Sequence, residues 1–214
     1  MTPINILSVD LDWIMEPSIE GYNFIANNNI DETWAAVKNL LPGLTFPEDF
    51  NKLNQLTKLL FDTKRKVDPA HFCIEDSHEQ IVDHIKKWNI NQPFAIYNID
   101  HHHDCGYDND RNTNSITGFF ENIHCSNWVT SLRYTNTRFI DYNWICNKNS
   151  DMTLQDIAES YIPNFKKTIH INSLDNVKFD YIFICKSYCW VPPRTRKLLD
   201  SFIFALKQFY ELNI

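Results

Sequence analysis

Asp100-His101-His102-His103-Asp104 gathers two carboxylates and three imidazoles into one short run, and Asp10-Leu11-Asp12 adds two more carboxylates near the start of the chain. In an extended stretch alternate side chains point the same way. Asp100, His102 and Asp104 are therefore expected on one side, with His101 and His103 on the other, and Asp10 and Asp12 are expected together. Four carboxylates and an imidazole at one place repel each other unless a cation compensates them, so one or two divalent metals are the natural partner. Mixed carboxylate and imidazole donors suit Mn2+, Fe2+ or Zn2+, and the carboxylate excess tilts the choice toward Mn2+. Bridging carboxylates suggest two ions, which together activate a water as hydroxide. Taken alone, a D-x-D is usually a turn or a cap, and a run of histidines can be a surface metal scavenger. The placement of both motifs directly after apolar strands is what points to a site.

Those strands are legible from their branched and aromatic runs. Ile4 to Val9 leads into Asp10, Phe94 to Ile99 leads into Asp100, and Tyr181 to Cys185 leads into Lys186-Ser187. Phe139 to Ile145 and Thr168 to Ile171 read as further strands. Helical spacing recurs in Trp34, Val37, Leu40 and Leu41, stopped by Pro42-Gly43. It recurs again in Leu53, Leu56, Leu59 and Leu60; in Ile81, Val82, Ile85 and Trp88; in Thr153 to Tyr161; and in Leu198 to Phe209. Ser77-His78-Glu79-Gln80 has the form of a capping box. Alternating helices and continuously apolar strands predict an α/β fold, three-layer α/β/α with a mostly parallel sheet. Ligands of such sheets bind beyond the carboxyl ends of the strands, where all three polar strand ends would converge.

Other residues are candidates for that edge. His78 could be an exposed first helical residue or a further metal ligand. Glu75 could be solvated, or could offer a carboxylate to a cationic substrate. His124 could shuttle protons or simply hydrogen-bond. Asn127 and Trp128 could bind substrate, although a tryptophan is more often core. Lys186 could meet an anionic group or pair with a site carboxylate. His71, His84 and His170 read as background.

The composition bounds the function. A chain of 214 residues with 43% hydrophobic and 22% charged residues is ordinary globular material, enough for a single domain over residues 1–214. Its net charge of −7 argues against nucleic acid as a partner. The four glycines lie too far apart for a phosphate-cradling loop. No apolar run approaches the roughly 20 residues of a membrane span. Met1-Thr2-Pro3-Ile4-Asn5 lacks the pattern of a secretory signal. The six cysteines show no C-x-x-C and no clustered framework, so reduced, mostly buried thiols in a cytoplasmic protein are expected.

At these residues the sequence resembles the arginase-like dinuclear metallohydrolases. Their D-x-H-x-D matches Asp100 to Asp104, and their D-x-D matches Asp10 to Asp12. The likeness is greatest to the small branch containing the peptide arginases, which carries the D-x-D after its first strand and a Ser-His ahead of the D-x-H-x-D strand, here Ser77-His78. Cys125 to Trp128 and Ser187 to Pro193 also look familiar, and the resemblance spans about residues 4–200. Ordinary arginases have the D-x-D downstream, so the strand order here is rearranged. No motif of this chain is matched to their guanidinium-binding carboxylate. The resemblance implies two Mn2+ ions bridged by Asp100 and one of Asp10 and Asp12. His78 and Asp104 would complete one shell, and His102 with the second D-x-D carboxylate the other. It implies hydrolysis of arginine side chains in a ribosomal precursor peptide, giving ornithine and urea, with His124 passing a proton to the leaving amine. One alternative is a DHH-type phosphoesterase, since Asp100-His101-His102 spells that motif, but Ile6 stands where that family carries an upstream His. A second is a non-catalytic, metal-stabilised peptide-binding protein.

Overall fold

The computed structural model describes residues 2–16, 48–106, 123–148 and 164–212, with Ala35, Ser150 and Ile162 described singly. The helices expected around Trp34 to Leu41 and over Thr153 to Tyr161 lie outside the described residues, Ala35 excepted.

Six strands form one sheet: β1 (Ile4–Asp10), β2 (Phe72–Glu75), β3 (Phe94–Asp100), β4 (Phe139–Cys146), β5 (Phe165–Thr168) and β6 (Tyr181–Cys185). Their order is β2-β6-β1-β3-β4-β5, and every pairing is parallel. The four helices are α1 (Phe50–Leu60), α2 (Gln80–Lys87), α3 (Trp128–Thr135) and α4 (Pro193–Phe209).

The pleat divides the core in two. Leu7, Val9, Ile99, Ile145, Ile182 and Ile184 pack with Leu56 and Leu60 of α1 and with Leu199, Ile203 and Leu206 of α4. Ile6, Phe94, Ile96, Tyr142, Trp144 and Phe183 pack on the other face with Ile81, Val82 and Ile85 of α2 and with Trp128, Val129 and Leu132 of α3. Helices therefore cover both faces, which gives the three-layer α/β/α arrangement expected for continuously apolar strands. Each such side chain contributes about 1.5–3 kcal/mol through burial. Asp49 starts α1 by accepting from the backbone N–H groups of Asn51 and Lys52. Pro193 opens α4, where its fixed φ suits the first turn.

β1 lies at the centre, between β6 and β3. The chain leaving β1 carries α1 on one face toward β2. The chain leaving β3 carries α3 on the other face toward β4, on the opposite side of the sheet. Neighbouring strands whose connections depart in opposite directions open a crevice at their carboxyl ends, and there it lies between Asp10 and Asp100. Two elements escape a reading of the sequence, β2 and α3, and the fifth strand ends at Thr168 instead of starting there. Among the described residues no helix is long and apolar enough to cross a membrane. All six cysteines are free, three of them buried.

Candidate metal centre

Asp10 and Asp100 are the last residues of β1 and β3, and both fall on the α2/α3 face, in line with Ile6 and Ser8 and with Ile96 and Asn98. Neither motif stays extended beyond that point. After Asp10 the chain turns into a 3-10 helix (Leu11–Ile14), capped by Asp10 Oδ1 accepting from the Asp12 N–H at 3.1 Å. After Asp100 it bends, with the His102 N–H donating to Asp100 Oδ1 at 2.8 Å, and Asp104 takes a left-handed φ of 51°. This turn, rather than strand alternation, carries the Asp104 carboxyl back beside Asp100. The Val129 N–H donates to the Asp104 carbonyl at 3.2 Å, tying the turn to α3.

His78 enters from the turn before α2. Only half of the capping box forms there. The Ser77 N–H donates to Gln80 Oε1 at 3.0 Å, whereas the Ser77 hydroxyl bonds the Glu79 side chain; the N-cap position falls on Glu79, whose side chain caps nothing. The His78 ring is buried beside Trp128 and Phe183, with centroids 4.9 Å and 5.8 Å away. Its Nε2 is 2.6 Å from Ser8 Oγ. Its Nδ1 lies at ion-pair distance from three carboxylates, 3.3 Å from Asp10 Oδ2, 3.1 Å from Asp100 Oδ2 and 3.0 Å from Asp104 Oδ2, without a well-aligned hydrogen bond among the described residues. A second group adjoins the first. His102 Nδ1 lies 3.4 Å from Asp12 Oδ2 and 3.9 Å from Asp100 Oδ1, and buried Asp12 Oδ1 has no hydrogen-bond partner among the described residues. Donor atoms of His78, Asp100 and Asp104 lie within 4.8 Å of one another, and so do those of Asp12, Asp100 and His102. Donors about 2.0–2.3 Å from a shared ion are at most about 4.6 Å apart, so each set is close to the span of one divalent cation. Asp100 belongs to both sets. His101 and His103 belong to neither: His103 is buried with its ring 5.7 Å from that of Trp144, and His101 is half-buried.

The charges are costly as they stand. Asp10, Asp12, Asp100 and Asp104 are each at most 4% exposed, and among the described residues no Lys or Arg forms an ion pair with any of them. Burial, then the charges of Asp104 and Asp10, push the Asp100 carboxyl well above its ordinary range. Burial and the Asp10 charge push Asp12 up to about 6. Burial alone would depress both ligand histidines, but the carboxylates outweigh it, and His102 rises to about 10. The cluster thus holds protons that a dication could replace. Oxygen-rich donors with two imidazoles fit Mn2+, Fe2+ or Zn2+.

Several residues that sequence reading did not single out support the donors. Ser8 holds His78. Asn98 Nδ2 donates to Asp100 Oδ2 at 3.1 Å and to Tyr142 Oη at 2.9 Å. Trp144 Nε1 donates to the Asp100 carbonyl at 3.1 Å. Ser8 and Asn98 sit two residues before the aspartates that close their strands, so the same pleat logic could have found them.

The remaining candidates fall around the centre. Trp128 is fully buried, and its Nε1 donates to Asp104 Oδ2 at 2.6 Å, so it acts on a donor carboxylate. Asn127 is also fully buried and holds the turn into α3 by accepting from the His124 N–H at 2.9 Å. His124 Nδ1 is 2.8 Å from Ser126 Oγ, at the start of that turn and outside both donor sets. The Glu75 carboxylate, at the end of β2, is engaged by His84 Nε2 at 2.6 Å. Lys186, just past β6, pairs with Asp76 and lies 5.5 Å from the Tyr188 ring. A comparison with protein-family models finds no match, and neither does a comparison with curated proteins or with solved structures.

Proposed function

We propose that the protein is a dinuclear metal-dependent hydrolase that acts on the guanidinium of arginine side chains in a ribosomal precursor peptide, giving ornithine and urea. The observation that carries the dinuclear reading is the placement of Asp100, whose two oxygens face two different histidine-containing donor sets. The D-x-D and D-x-H-x-D likeness to the peptide arginases supplies the substrate class. His78, Asp104, Asp10 and Asp100 would hold one ion, and Asp12, His102 and Asp100 the other. Two divalent ions, expected as Mn2+, supply polarisation of water and stabilisation of developing negative charge near neutral pH.

The chain's own residues do the rest. Ser8 fixes the His78 ring so that Nδ1 faces the carboxylates. Trp128 fixes the Asp104 carboxyl. His124, at the opening of the turn into α3, passes a proton to the leaving amine. Glu75, the last residue of β2, and Lys186, just past β6, stand at the edge where a substrate would approach, and the acidic balance of the chain suits a cationic side chain. Asn127 holds the turn into α3 and Trp128 holds the Asp104 carboxyl, both from fully buried positions. Free thiols suit the cytoplasm, where such a precursor is made.

The test is mass spectrometry of an arginine-containing precursor peptide after incubation with Mn2+-loaded protein. A loss of about 42 Da per converted residue, with urea released, is expected from the hydrolysis. Cleavage of a phosphodiester without that loss would overturn the reading in favour of a phosphoesterase. Two bound ions and tight peptide binding without any turnover would leave a binding protein.

A further inference from the structure

Neither aspartate motif involves β6, yet that strand ends inside the metal centre. Cys185 closes β6 directly opposite Asp10 and is buried. Its Sγ, a carboxylate oxygen of Asp10 and a ring nitrogen of His78 lie within 4.8 Å of one another, the same span as the two oxygen-rich sets. The second observation is the one already noted for His78. Its Nδ1 is buried, is close to Asp10 Oδ2, and makes no well-aligned hydrogen bond among the described residues. The Cys185 thiol spends its proton on a long contact, 3.8 Å to the Asp76 carbonyl, which is a weak bond to give up.

We propose that Cys185 is a sulfur ligand of the ion held by His78, so that this half of the centre prefers a thiophilic divalent cation such as Zn2+ over Mn2+. The half built on Asp12, Asp100 and His102 has only oxygen and nitrogen donors and keeps the harder preference. On binding, the S–H bond breaks, its electron pair goes to the cation, and the proton leaves to solvent. This assignment rests on the two-ion reading above and amends its metal: the Asp12, Asp100 and His102 half keeps Mn2+, and the His78 half takes the thiophilic ion in its place.

Co2+ separates the two claims, because a cobalt–thiolate bond adds an intense near-ultraviolet charge-transfer band that oxygen and nitrogen donors do not. Metal-free protein is titrated with Co2+ as wild type, as Cys185→Ser and as Cys146→Ser. Cys146 pairs with Asp100 across the sheet but belongs to no donor set among the described residues, so it is the control. The band is expected in wild type and in Cys146→Ser and should vanish in Cys185→Ser. Competition should show the Zn2+ preference over Mn2+ falling by roughly tenfold or more in Cys185→Ser, the scale on which ligand-sphere changes act. Two ions per chain without the band in wild type would overturn the sulfur assignment and leave the two-ion reading standing. A band that survives in Cys185→Ser would assign the sulfur to another thiol and overturn it too. No bound ion at all would overturn both. The wild-type spectrum decides whether sulfur binds even if the serine variant fails to fold.

Discussion

His78 Nδ1 lies 3.1 Å from Asp100 Oδ2, within ion-pair distance, while the other Asp100 oxygen looks toward His102. A single carboxyl group therefore serves both donor sets. Asp100→Asn keeps the shape of that group and removes its charge. The bound-metal count should fall from two per chain to one or none, with hydrolysis lost, as read by elemental analysis after dialysis and by the peptide mass assay. A variant that still holds two ions would show that Asp100 is not shared.

Ser8 accounts for the orientation of His78, since Nε2 faces its hydroxyl at 2.6 Å and leaves Nδ1 for the carboxylates. Ser8→Ala should weaken metal binding by about 10–100-fold, the usual effect of losing a group that orients a ligand. It should cost only about 1 kcal/mol of folding stability. Chelator competition measures the first effect and urea unfolding the second. Lost stability with unchanged affinity would reduce Ser8 to a packing residue.

The indole of Trp128 has two duties, packing beside His78 and donating to Asp104. Trp128→Phe retains much of the packing and deletes the donor. Metal affinity should drop by about tenfold, and isothermal titration with Mn2+ checks it. Equal affinities would mean that the Asp104 carboxyl needs no such anchor.

Asp12 and His102 should each make the metal-free protein less stable as pH rises through their own ranges. Asp12 is lifted to about 6 from 3.8, and His102 to about 10 from 6.5, so in both cases the folded chain holds its proton more tightly than the unfolded chain. The stabilising contribution of His102 is complete below 6.5 and disappears as pH climbs through about 10. That of protonated Asp12 is complete below 3.8 and is gone above about 6. A cation needs these donors unprotonated. The rise in Tm on adding Mn2+ should therefore grow between about pH 6 and pH 9. Differential scanning fluorimetry at fixed metal excess reads it, and a flat or shrinking gain would contradict the assignment.

The two halves of the core should separate in their effects. Leu206 of α4 is fully buried on the face away from the donors. Leu206→Ala should destabilise the fold by about 2–5 kcal/mol through the cavity it leaves. Metal affinity of the folded fraction, measured at low temperature, should stay within about twofold of wild type, as additivity for distant sites requires.

Strand type, the parallel layering and the convergence of Asp10, Asp12, Asp100, His102 and Asp104 were legible in the sequence, because a buried strand must be apolar along its length and its first polar residue then marks its end. Less was legible where a turn decides. Asp is among the few non-glycine residues that tolerate a left-handed φ, but nothing in Asp-Cys-Gly says that Asp104 adopts one, and it places this carboxylate by a route that alternation does not describe. Edge strand β2 is too short to show periodicity. α3 opens on His-Cys-Ser-Asn-Trp, which reads as a polar loop until the Asp104 carbonyl is seen to receive the Val129 N–H. Glu75 and Lys186 illustrate another limit. A charge at a strand end looks available in sequence, but His84 and Asp76 come from segments whose direction only the fold supplies.

The place of β6 bears on how the protein is made. Ile6 pairs with Phe94's strand on one side and with Tyr181 on the other, so the strand bearing Asp10 stays open on one edge until the chain has been synthesised past residue 185. Up to then Asp10 and Asp100 can meet, but the wall that presses His78 against them, including Phe183, does not exist. A ribosome-bound chain halted before β6 should accordingly fail to retain metal, and the nascent protein should become able to load its ions only as its last strand slides between two that are already made.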